Sequence, residues 1–339
     1  MPGEKINNRQ IANWLFLLCA MIFCMVVVGG VTRLTESGLS IVQWKPITGV
    51  IPPIGDGEWA KEFADYKNYP EYQKVNQGMS LDDFKSIFYW EYSHRLLGRV
   101  IGVAFFLPFI VFLFKGKISR SLKPKLWLLF FLGGMQGVLG WWMVKSGLVD
   151  RPDVSHYRLT AHLGLAVLIY IYMFWLACSL VILRCEETYK RPLGAIRILV
   201  GFIFLQILLG GLVAGLNAGM IYNTWPLMKG QLIPSGLYSM TPWYMNMFEN
   251  IMTVQFNHRI MAYVIALLGL YIWAKIRTDS HINVRVAGHL MLLAIGGQVV
   301  LGILTLINVV PIPLAAAHQA GAIIVLSSAL FLLRRAGLK

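Results

Sequence analysis

The fold class this sequence predicts is an all-α integral membrane protein, with eight transmembrane helices forming two parallel-repeat four-helix bundles and both termini cytoplasmic. Three observations lead there. The 339 residues are 57% hydrophobic and only 14% charged, with a mean hydropathy of +0.62, too apolar for a water-soluble domain of this length. Stretches long enough to cross the hydrocarbon core, about 20 helical residues each, recur eight times. The formal charge of +14 gathers in alternate connections, as the positive-inside rule places it, and not on one basic face suited to nucleic acid.

Taken in chain order, the start MPGEKINNRQ is short and polar, with no Arg-rich, Ser-rich presequence. The first span, near 13–31, has no small-residue cleavage pattern and is expected to stay as a helix. The outer loop 32–86 holds most of the acids, among them Glu36, Asp56, Glu58, Glu62, Asp65, Glu71, Asp82 and Asp83. Its Pro/Gly-rich segment WKPITGVIPPIGDG should be irregular, and EWAKEFADYKNYPEYQKV suits a short helix at the membrane interface. Ser80 with Asp83 resembles a capping box, so the second membrane helix should begin outside the bilayer near Leu81 and span 87–114.

Lys115, Lys117, Arg120, Lys123 and Lys125 then fill an inner loop without an acid. Spans follow near 126–144 and 158–182, separated from the next by Arg184, Lys190, Arg191 and Arg197. A fifth span near 196–216 leads to the outer loop 217–252, where Trp225, Trp243 and Tyr244 are interface anchors. Spans near 253–275, 286–307 and 314–333 complete the set, with Lys275, Arg277 and Arg285 inside and Arg334, Arg335 and Lys339 at the end. Cys19, Cys24, Cys178 and Cys185 fall in or beside spans, where free thiols act as small apolar groups.

Set side by side, the two halves repeat. EYSHRLLGRVIG resembles QFNHRIMAYVIA, GGMQGVLG resembles IGGQVVLG, HLGLA resembles HQAGA, and GGVTRLTESGLS echoes GGLVAGLNAGMI. Each half, 1–190 and 191–339, holds an even number of spans, so the copies should share one orientation about an axis along the bilayer normal.

His94, His162, His258 and His318 each come early in an inward-running helix, in two aligned pairs, and so lie in the outer third of the bilayer. Four such imidazoles in a duplicated frame point to axial ligation of two haems near the outer face. The plainer alternative is four hydrogen-bonded core histidines. Respiratory cytochromes b differ in placing paired ligands on one helix, while zinc or non-haem iron calls for carboxylate or thiolate that the C-terminal half lacks.

Glu91 shares a helical face with His94 and Arg95, and Gln255 takes its place in the other half. That asymmetry assigns an ionisable group to one site alone, although a salt bridge to Arg95 or Arg99 would also occupy a buried carboxylate. Arg95 and Arg259 are suited to haem propionates or to lipid headgroups. Gln136 and Gln298 are suited to donate in the haem pockets or between helices. His156, His281 and His289 have no counterparts.

Together GGVTRLTESGLS, QWKPITGVIPP, EYSHRLLGRVIG, YRLTAHLGLA, NTWPLM, QFNHRIMAYV and AAHQAGA closely resemble the haem A synthases of alphaproteobacteria and mitochondria, over nearly the whole chain. The resemblance implies oxidation of the haem O ring methyl to a formyl group, giving haem A for cytochrome c oxidase. It implies that His258 and His318 ligate a resident haem B, and that His94 and His162 flank the haem O site with Glu91 beside the reacting methyl. It further implies a bacterial inner-membrane location, an electron donor of unspecified kind and an interaction with haem O synthase, with homo-oligomers left open. The outer-loop cysteine pair of some bacterial members is absent. A di-haem electron carrier or a haem carrier remains the alternative, with less need of one asymmetric carboxylate.

Overall fold

The computed structural model describes residues 2–45, 48–149, 152–182 and 191–337. Pro46, Ile47, Arg184, Cys185, Lys190 and Lys339, singled out above, lie outside them. The described residues are helical, with a single isolated β-bridge between Met228 and Gln231. The helices are α1 (Pro2–Leu34), α2 (Asp56–Tyr66), α3 (Pro70–Lys74), α4 (Leu81–Phe114), α5 (Lys123–Lys145), α6 (His156–Val181), α7 (Leu193–Gly215), α8 (Ile251–Ile276), α9 (Ile282–Ile307) and α10 (Ile312–Ala336).

Eight of these, all but α2 and α3, are long and apolar enough to cross a membrane. Each matches one expected span, α6 and α7 ending one residue short of it and α1 beginning 11 residues before it. Their outward surfaces are apolar, as lipid requires. On α5, for example, Trp127, Phe131, Val138 and Trp142 are exposed. Cys19 and Cys178 are buried and Cys24 is exposed, all three as free thiols.

The chain divides into two compact units, Ala20–Ala166 in one and Met1–Cys19 with Val167–Lys339 in the other. In the second unit α7 packs on α8 and α10, and α9 packs on the same two, so these helices close a ring. A buried pair ties their connections: the Arg191 guanidinium meets Asp279 through Nε–Oδ2 at 2.7 Å and Nη2–Oδ1 at 3.1 Å.

In the first unit, the outer loop forms two short helices where one was expected. Pro70 has no N–H to continue α2, and instead sits in the first turn of α3, where none is needed. Nor does the aromatic face of α2 lie open to lipid: Trp59, Phe63 and Tyr66 are buried against Phe84 and Phe88 of α4. Those contacts exist because α4 begins well before the bilayer. The Asp83 N–H donates to Ser80 Oγ at 3.2 Å and the Ser80 N–H to Asp83 Oδ2 at 3.4 Å, forming the expected capping box. The segment 51–55 is irregular as expected, after a single 3₁₀ turn at Thr48–Val50.

Candidate functional site

Each compact unit holds one of the histidine pairs. In the unit containing α7–α10, His258 of α8 and His318 of α10 stand with ring centres 6.4 Å apart and planes at 79°. In the other unit, His94 stands on α4 and His162 on α6.

What lets the rings sit so close to neighbouring helices is glycine. A Cβ on Gly29 of α1 would stand 3.0 Å from His94 Nε2, and one on Gly140 of α5 would stand 2.9 Å from His162 Cε1. A Cβ on Gly210 of α7 would stand 3.3 Å from His258 Cε1, and one on Gly302 of α9 would stand 2.8 Å from His318 Cε1. Any larger residue would displace the imidazole. Every histidine is thus seated on a glycine of another helix.

Gln136 and Gln298 make the interhelical hydrogen bonds weighed for them. Gln136 Nε2 donates to the His162 carbonyl at 3.0 Å and lies 3.2 Å from His162 Nδ1. Gln298 Nε2 donates to the His318 carbonyl at 2.8 Å and lies 3.1 Å from His318 Nδ1. Gln206, which the sequence reading passed over, does the same for His258 at 3.0 Å, its Nε2 standing 3.3 Å from His258 Nε2. The signal was present: glutamine four residues before glycine occurs as QGVLG, QILLG and QVVLG on α5, α7 and α9.

Glu91 is buried and fully engaged. Its Oε2 accepts from Ser40 Oγ at 2.8 Å and from the Ile41 N–H at 2.7 Å. Its Oε1 accepts from Arg95 Nε at 3.0 Å and Nη2 at 2.6 Å. Arg95 in turn donates through Nη2 to the Ile41 carbonyl at 2.8 Å and through Nη1 to that of Gln43 at 3.3 Å. Of the two partners weighed for Glu91, Arg95 is the one it takes; Arg99 donates to the Lys45 carbonyl.

The same lattice recurs in the other unit with an amide in place of the carboxylate. Arg259 donates to Gln255 Oε1 at 2.8 Å, to the Tyr222 carbonyl at 2.6 Å and to the Thr224 carbonyl at 2.8 Å. Gln255 Nε2 donates to the carbonyls of Ala218 and Ile221, at 2.7 and 2.5 Å. Even the turn is shared, with positive φ at Glu36 (52°) and Asn217 (51°). The two arginines therefore anchor outer-loop backbone. His289 lies apart from both pairs and accepts a hydrogen bond from Trp273 Nε1 at 2.9 Å.

The C-terminal pair meets the demands of a haem. His258 and His318, whose ring centres stand 6.4 Å apart, would supply the two protein ligands of such a group. His258 Nδ1 is buried without a hydrogen-bond partner. Among the described residues no cluster of three or more His, Cys, Asp or Glu side chains is placed to hold a bare ion. Two imidazoles suffice for an iron whose porphyrin supplies the remaining four ligands.

Comparison with known proteins identifies the family. The COX15-CtaA family model, described as cytochrome oxidase assembly protein, matches residues 12–330. A haem A synthase of Nitrosospira multiformis is 51% identical over 329 residues, covering 96% of this chain and 92% of its own. That of Parvibaculum lavamentivorans is 51% identical, covering 97% and 95%. That of Bradyrhizobium diazoefficiens is also 51% identical, over 97% and 91%.

Proposed function

This chain belongs to the COX15-CtaA family of cytochrome oxidase assembly proteins, and on that premise we infer that it is a haem A synthase, a multi-pass membrane oxidoreductase that converts haem O to haem A. The observation that carries the reading is the pairing of histidines, one pair in each compact unit, within a chain so similar to haem A synthases. The N-terminal half, 1–190, takes haem O between His94 and His162. The C-terminal half, 191–339, holds a resident haem B on His258 and His318. When bound, that haem would supply one-electron transfer between the substrate site and an external redox partner. Both sites face the outer side of the bacterial inner membrane, with the termini inside, as the loop charges direct.

The ring methyl of haem O becomes a formyl group by two successive hydroxylations and loss of water from the geminal diol. Glu91 is the catalytic carboxylate. Four donors already fill its two oxygens, so it offers a fixed negative charge more than a free basic lone pair. A preorganised charge in a site shielded from water stabilises positive charge developing at the methyl carbon without having to reorient. Gln255, its counterpart, is neutral, which suits a site whose haem is not transformed. Arg95 and Arg259 hold the outer loops over the two sites and present cationic edges for propionates; Arg259 Nε has no hydrogen-bond partner. Gln136 and Gln298 orient the ligands. Haem O arrives from haem O synthase, and a separate donor or acceptor exchanges electrons with haem B.

Haem extraction from cells expressing Glu91→Ala tests the catalytic assignment. Haem O or a hydroxylated intermediate should accumulate with little haem A, and normal haem A output would overturn it. Purified His258→Ala or His318→Ala protein should lack haem B; retention of its spectrum would reverse the assignment of the two halves.

A further inference from the structure

Three of the four histidines are held twice over and the fourth is not. Gln136, Gln206 and Gln298 each precede a glycine seat by about one helical turn, and each donates through Nε2 to the backbone carbonyl of the seated histidine. The opposite end of every one of these amides, Oε1, is buried without a hydrogen-bond partner. An orphaned buried acceptor forfeits its hydration without compensation, and its recurrence at three matching positions calls for a donor.

Metal ligation supplies one. A histidine that gives one ring nitrogen to iron carries its proton on the other, and that N–H needs an acceptor such as a carbonyl. Each amide already lies beside the ring, and its terminal torsion has broad wells. Turning the amide brings Oε1 toward the ring N–H in exchange for the donation to the carbonyl, so the glutamine holds its histidine by one contact or the other.

On α1 the same register places Met25 one turn before Gly29. A thioether is only a weak acceptor and no donor. The Met25 methyl points instead to α4 one turn beyond His94, 3.5 Å from where a Cβ on Gly98 would stand. Among the described residues no side-chain amide reaches His94 as the glutamines reach the other three.

We propose that Gln136, Gln206 and Gln298 are positioning residues that fix the ligating histidines, through the carbonyl or, with the amide turned, through the ring N–H, and that Met25 leaves His94 as the exchangeable ligand of the substrate haem. A resident haem is retained by two fixed ligands. A substrate that must leave as haem A after each turnover is served by one fixed ligand, His162, and one free to yield. The proposal rests on the haem assignments given above.

The test uses the full-length protein in lipid nanodiscs, read by haem retention, the electron paramagnetic resonance of ferric haem and its reduction potential, none of which requires turnover. Gln206→Leu and Gln298→Leu should bind haem B about tenfold or more weakly, in line with the ~10–100-fold effect of outer-shell partners, with a raised potential. Gln206→Glu and Gln298→Glu keep the shape and provide a stronger acceptor, so they should retain haem B at a lowered potential. Met25→Gln should carry several-fold more haem O or haem A through purification than the unaltered protein.

His258→Ala is the control: if it keeps haem B, the assignment of the resident site fails. With that control losing haem B, unchanged retention and potential in the leucine variants would overturn the positioning role. Should those variants not fold, an unchanged potential in the glutamate variants overturns it equally. Unchanged substrate-haem retention in Met25→Gln would overturn the role given to His94.

Discussion

Replacing Gly302 by alanine would put a methyl carbon 2.8 Å from His318 Cε1, where carbons at rest stand about 3.5–4.0 Å apart. The imidazole has little room to lean away, because Gln298 holds its residue at the carbonyl and lies 3.1 Å from Nδ1. Ring or helix must therefore move by about 0.7 Å to restore ordinary contact, skewing a ligand pair whose ring centres stand 6.4 Å apart. A displacement near 1 Å is enough to cost about 10²-fold where geometry is exacting, so Gly302→Ala should retain at most about a tenth of the haem B. Gly210→Ala meets His258 Cε1 at 3.3 Å, needs a shift of only about 0.2 Å, and should retain most of it. Gly296 and Gly297 lie on the same helix as Gly302 with nothing within 4 Å of an added Cβ. Alanine there should leave haem unchanged and favour the helix by about 0.5–1 kcal/mol. The assay is haem B per mole of monodisperse purified protein. Gly302→Ala protein as rich in haem B as Gly296→Ala protein would refute the glycine-seat reasoning.

Two further outcomes concern stability. Asp279→Ala leaves the Arg191 guanidinium buried without its carboxylate, the side chains being 0% and 2% exposed, and should cost about 3–5 kcal/mol, whereas Asp279→Leu with Arg191→Met should unfold much closer to the unaltered protein; thermal unfolding in detergent compares them. In the outer loop, burial pushes the Glu71 carboxyl from 4.5 up to about 8, partly offset by the hydrogen bond from Tyr66. The folded loop thus holds a proton that the unfolded one releases, a stabilisation complete below pH 4.5 and lost as pH rises to about 8. Protease protection of the segment 56–76 should fall across that range and level off above it, and Glu71→Gln should abolish the dependence.

Much of this protein could be read from its residues. Apolar length alone locates the spans, because a backbone in lipid must satisfy its own hydrogen bonds and the helix is the local way to do so. The capping box at Ser80 was legible for a similar reason, being a contact between residues three apart. The histidines, Glu91 and its neutral counterpart Gln255 stood out because ionisable and metal-binding groups are expensive in such surroundings. The course of the outer loop was less legible. Its aromatics suggested an interface helix, and only packing reveals Trp59, Phe63 and Tyr66 closing on α4.

Gln206 shows where one-dimensional reading stops. A lone glutamine in a span has interhelical hydrogen bonding as its default role, and its spacing from Gly210 acquires meaning only when both are seen to meet His258. The sequence by itself determined which eight segments are long and apolar enough to cross a membrane, which residues are candidates for the chemistry and which family the chain resembles, since each follows from local hydropathy and from residue types that lipid rarely tolerates. Tertiary structure alone decided that each of the four paired histidines rests on a glycine, that amides hold three of them, and that both Glu91 oxygens are filled. Those are contacts between helices far apart in the chain, and their distances depend on how the side chains between them pack.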